Sequence, residues 1–91
     1  MSDPEDECAT MNRAIANTML KKYEEAKEDF ANVVESCPFW AAVYFNRAQF
    51  HCCLKQYELA EEDLSKGTFF FTMVWERLQW LMYLSLNNIF V

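Results

Sequence analysis

Glycine, proline and histidine are nearly missing from this chain: its 91 residues include one Gly, two Pro and one His. With one Gly and two Pro to punctuate the chain, long turn-rich or sandwich folds are not expected. A Gly-rich phosphate loop is excluded on the same ground, and neither GxSxG nor HExxH occurs. Basic charge is also scarce. Eight Lys and Arg stand against fourteen Asp and Glu, a net charge of −6. Nucleic acid, whose phosphates require clustered cations, is therefore not an expected partner. All the acidic excess lies before residue 68, because only Glu76 and Arg77 are charged beyond it.

Four cysteines are present but no CxxC pair. Cys52 and Cys53 are neighbours on a helical stretch and point about 100° apart, so they do not share a ligand. No metal site or cofactor is expected, and Cys8, Cys37, Cys52 and Cys53 read as reduced thiols. The first residues are acidic where a secretory leader would be basic and then apolar. The expectation is an intracellular, cytoplasmic protein. His51 cannot pair with its neighbours Cys52 and Cys53 as a nucleophilic site, since adjacent helical residues diverge. It reads as packing between helical hairpins. The acidic runs Glu24, Glu25, Glu28, Asp29 and Glu61, Glu62, Asp63 lack the turn residues of a calcium loop and read as solvated helix faces. No enzyme is expected.

What the chain does have is a repeat. YFNRAQFHCCLKQYELAEED, Tyr44 to Asp63, restates TMNRAIANTMLKKYEEAKED, Thr10 to Asp29, at a distance of 34 residues. Asn12, Arg13, Ala14, Leu20 and Lys21 recur as Asn46, Arg47, Ala48, Leu54 and Lys55. Tyr23, Glu24, Ala26, Glu28 and Asp29 recur as Tyr57, Glu58, Ala60, Glu62 and Asp63, making ten identities across eighteen ungapped positions. A fixed period of this length marks a stacked-repeat protein.

Apolar spacing of three and four residues predicts the helices. Asp3 as cap, Pro4 at the first helical position and the acids after it open one that runs to about Leu20. After a break at Lys21-Lys22, a second runs from Tyr23 to about Ser36, with Tyr23, Ala26, Phe30, Val33, Val34 and Cys37 as its apolar stripe. Glu24, Glu25, Lys27, Glu28 and Asp29 cover its polar side, and Pro38 ends it. The third spans Ala42 to Cys53 or Leu54. The fourth opens at Tyr57 with Ala60, Leu64 and Thr68 inward. Each pair forms an αα-hairpin, which must stack to bury both faces.

These residues resemble the tetratricopeptide repeat family, a 34-residue helix–turn–helix. The small positions of that pattern are Ala14 and Ala26, then Ala48 and Ala60. Phe30 and Pro38 fill its aromatic and closing positions in the first unit; Tyr44 and Leu64 fill two of its large positions in the second. Tyr23 and Tyr57 open the second helix of each unit. The likeness covers residues 7 to about 66. Thr10 departs from the bulky residue of the pattern, Gly67 breaks it, and Thr72 stands where Pro would close the second unit. Two units are fewer than the three or so usual for stability, which implies a fragment or short form of a longer array. The implied fold is all-α: hairpins over residues 5–38 and 39–70, then a hydrophobic closing helix over 71–91.

The implied function is a protein–protein interaction module or scaffold that binds a peptide or partner helix in a concave groove. By resemblance that groove is faced by Met11, Asn12 and Ile15 of the first unit and by Phe45, Asn46, Gln49 and Cys53 of the second. Asn12 and Asn46 have both donor and acceptor for an extended backbone. Relatives that grip the carboxylate of chaperone C-termini carry Lys and Asn where Met11 and Ile15 stand, so that specificity is not implied.

Residues 68–91 change character, being aromatic and aliphatic with almost no charge. Three readings stay open. The segment folds back against 57–68 as a fifth, closing helix; it anchors the chain in a membrane as an adaptor; or it is an alternative end that leaves a truncated chain without independent function. Its length permits a span. Glu76 and Arg77 oppose one, at roughly 2.5–3.5 kcal/mol each near a bilayer centre. Exposed, such a tail would also promote self-association.

Overall fold

The computed structural model describes residues 4–89, and within α1 and α4 it describes no side chain for Pro4, Glu5, Asn88 or Ile89. The expected cap Asp3 and the terminal Phe90 and Val91 lie outside the described residues. The described chain is all-α, with four helices: α1 Pro4–Met19, α2 Tyr23–Ser36, α3 Ala41–Cys53 and α4 Tyr57–Ile89. Helix α1 packs chiefly on α2, and α3 on α4, with thinner contact joining α3 to α1 and α2.

The two reversals are built alike. Lys21 and Lys55 adopt left-handed backbone, at φ 62° and 61°. The Lys22 N–H donates to the Asn17 carbonyl at 2.8 Å and the Lys21 N–H to the Thr18 carbonyl at 3.1 Å. One period later the Gln56 N–H donates to the His51 carbonyl at 2.8 Å and the Lys55 N–H to the Cys52 carbonyl at 3.0 Å. This doubled closure is a Schellman motif, made here with lysine in the position glycine usually takes. Each helix thus ends with its last carbonyls satisfied, and a three-residue link returns the chain alongside itself.

Small residues line the seam of each pair. Ala14 and Ala26 are fully buried, and Ala48 and Ala60 nearly so. Absent Cβ branches let the helix axes approach. Between the pairs, Met11, Phe30, Val33, Val43 and Phe50 form the remainder of one core cluster, with Ile15, Tyr23, Val34, Trp40, Ala42 and Leu54 partly buried around it. Phe50 is its centre: its ring lies 5.6 Å from that of Phe30 and 6.3 Å from that of Tyr23.

Helix α4 departs from the sequence expectation. Among the described residues no separate closing helix follows residue 70; α4 continues unbroken to Ile89. The reason lies one period earlier. After Cys37 donates to the Val33 carbonyl, Pro38 has no N–H to offer and α2 stops. Thr72, at the same phase, keeps its N–H, so nothing stops α4. The tail therefore projects away from the pairs instead of folding back, and the molecule measures 56 × 30 × 19 Å along its principal axes. Leu64 and Thr68, expected inward, are exposed; Asp63 and Gly67 take the inward positions beside Ala60. Among the described residues no helix is long and apolar enough to cross a membrane.

Candidate functional site

A cleft of about 270 Å³ opens where the two pairs meet. Helix α1 contributes Ile15, Thr18 and Met19, and α2 contributes the edge of Phe30. Helix α3 supplies Asn46, Gln49, Phe50 and Cys53. The lining is apolar at its floor and carries amides and a thiol at its rim, with no charged side chain.

Of the seven residues that the resemblance placed on a groove, Ile15, Asn46, Gln49 and Cys53 line this cleft. Three do not. Met11 is buried in the core, its sulfur 3.6 Å from Asn46 Nδ2. Asn12 is exposed but lies outside the cleft. Phe45 turns towards α4, where a Cβ built on Gly67 would sit 2.8 Å from its Cε1. The glycine that breaks the repeat pattern is thus what admits the ring. Asn46 also differs from expectation, because its Nδ2 donates to the Ala42 carbonyl of its own helix at 2.9 Å. Sequence reasoning missed Thr18 and Met19, which adjoin Ile15 by the same three- and four-residue spacing and were open to the same inference.

A second constellation repeats in both pairs and explains the acidic runs. Arg13 donates through Nε and Nη2 to the two oxygens of Asp29, at 3.0 and 2.8 Å. Arg47 does the same to Asp63, at 2.8 Å for both bonds. Neither aspartate lies on a solvated face as the acidic pattern implied; both are buried. The third member differs in chemistry. Asn17 donates to Asp29 at 3.2 Å, whereas His51, one period on, sets Nε2 at 3.4 Å from Asp63 and Nδ1 at 3.0 Å from Gln56 Oε1. His51 thus bridges α3 to α4 inside one pair and does not pack between the two. The hydrogen bond to each aspartate is the chief cause that raises both guanidinium pKa values above the ordinary arginine value. Burial opposes the rise at both, most strongly at Arg47.

A roomier hollow of about 440 Å³, lined by Glu61, Leu64, Ser65, Thr68 and Phe69, lies on the outer side of α4. All five residues are on one helix, so it is a shallow ripple of that surface and lacks a second wall. Comparison of the chain with protein-family profiles, curated proteins and solved structures gave no match.

Proposed function

We propose that the chain is a non-catalytic interaction module of two tetratricopeptide-type units, holding an extended peptide or the apolar side of a partner helix in the α1–α3 cleft. The observation that carries this reading is the cleft's construction from both units. Ile15, Thr18 and Met19 come from the first and Asn46, Gln49 and Cys53 from the second, so recognition requires their packed arrangement. An uncharged lining favours an uncharged partner segment, since buried charge without a counterion is costly. The Gln49 amide and the Asn46 oxygen supply the directional contacts that fix its register. The repeated Arg–Asp pairs lie within each unit and serve the scaffold. A reducing, intracellular setting belongs to the same proposal.

The test selects extended peptides from a displayed library against the full chain, then measures them against Gln49→Arg and Cys53→Arg. Both residues are exposed at the rim, so both variants keep the fold. A loss of at least tenfold in affinity, about 1.4 kcal/mol, is the expected outcome for each. Affinity undiminished in both would refute the reading.

A further inference from the structure

The outer face of α4 carries an apolar seam that no described part of the chain covers. On α2, Tyr23 and Phe30 lie against Phe50 of α3. One period later, Tyr57 and Leu64 hold the same phase on α4 and are exposed, Tyr57 at 63%. Because α4 continues unbroken, the seam extends into the tail. Leu64, Thr68, Phe71, Trp75, Leu78 and Met82 succeed one another at alternating steps of four and three residues, all exposed. That is the a and d spacing of a coiled coil. Glu76 and Arg77, the tail's two charges, fall at the b and c positions next to Trp75 and leave the seam uncharged from Leu64 onward.

We propose that this seam joins two copies of the chain as an antiparallel pair of α4 helices. Charge decides the orientation. In a parallel pair Glu61, the a position before Leu64, would face its own copy, with Glu58 and Glu62 alongside, in a chain already at −6. Such like-charge contacts destabilise. An antiparallel pair centred between Phe71 and Trp75 avoids them. Leu64 then meets Met82 of the partner subunit, Thr68 meets Leu78 of the partner subunit, and Phe71 meets Trp75 of the partner subunit. Glu61 meets the uncharged Ser85 of the partner subunit. A twofold axis relates the two copies, so every contact is made twice.

The area suffices. Half-exposed Phe71, Trp75 and Leu78, with Leu64, Thr68 and Met82, offer on the order of 500 Å² per copy. The pair then buries about 1,000 Å², the size at which specific association begins. None of the α1–α3 cleft residues lies on α4, so the dimer stands or falls separately from the binding role.

The test uses the full chain in sedimentation equilibrium, with Leu64→Cys and Met82→Cys made in a background whose native cysteines are serine. The expected species has twice the 10.8 kDa chain mass. Leu64→Cys mixed with Met82→Cys forms an interchain disulfide under mild oxidation, and neither variant does so alone. Trp75→Glu and Leu78→Lys each give monomer with helicity unchanged, since both residues lie outside the core. A monomer mass at every concentration would overturn the proposal, as would a dimer that survives both charge substitutions. Leu64→Cys bonding to its own copy would establish parallel pairing and overturn it too. An intrachain bond in the Leu64→Cys/Met82→Cys double variant would show the tail folded back and overturn it as well. In a continuous helix those positions are about 27 Å apart, beyond disulfide reach.

Discussion

Asp29 and Asp63 are the residues on which each helical pair depends, because a buried carboxylate must be compensated where it lies. Their arginines differ in how far water shares that task. The Arg13 side chain is 66% exposed and that of Arg47 22%. Water can replace Arg13 at Asp29 more readily than it can replace Arg47 at Asp63. Arg47→Met is expected to lower stability by about 1–3 kcal/mol, and Arg13→Met by clearly less, as measured by urea titration of each. The raised guanidinium pKa sets the pH sense. Their contribution is complete below the ordinary arginine value and disappears only as pH rises through the higher folded value, so no arginine-linked loss of stability is expected between neutral pH and about pH 10. At Gly67 the constraint is space. Gly67→Leu should cost roughly 1–3 kcal/mol by overpacking Phe45, and a thermal melt of Gly67→Leu with Phe45→Ala should recover much of it. Arg13, Arg47, Asp29 and Asp63 were visible as repeat identities, yet their pairing was not. The partners sit sixteen residues apart on different helices, and a string of acids looks solvated until the neighbouring helix is in place.

Helix ends obeyed the sequence more closely than helix faces. Breaks at Lys21 and Lys55 and the stop before Pro38 were legible because each is a local backbone event. The uninterrupted course of α4 was not, since the repeat's phase suggested a turn that only the absent proline would have enforced. Leu64 failed for a related reason: Phe30 is buried by the next helical pair, and no described helix performs that service for Leu64. Both lysines hold a backbone shape that costs a side-chain-bearing residue roughly 1 kcal/mol. Lys21→Gly and Lys55→Gly are therefore each expected to raise the stability of the fold by about 0.5–1 kcal/mol, the unfolded-state entropy of glycine offsetting part of the relief. An unchanged denaturation midpoint in both variants would contradict the shared closure.

At the scale of the whole molecule, two pairs share one core through Phe50, leave a cleft on the α1–α3 side and extend α4 past both. Tyr23 against Tyr57 shows how far the two units are equivalent. Their positions in the pairs match, but Tyr23 is covered by Phe50 and Tyr57 faces solvent. The internal geometry of a unit is thus fixed by its own residues, whereas its outer surface is fixed by the helix that packs, or does not pack, beside it. The cleft is the part of the outer surface that both units build together, and the proposed binding role rests on it. Residue-resolved amide shifts of the full chain, recorded while a selected extended peptide is added, test that role most directly. The account predicts saturable shifts at Thr18, Met19, Gln49 and Cys53, with the tail residues 73–86 unmoved. Shifts confined to 73–86, with those four amides unchanged at saturation, would contradict it.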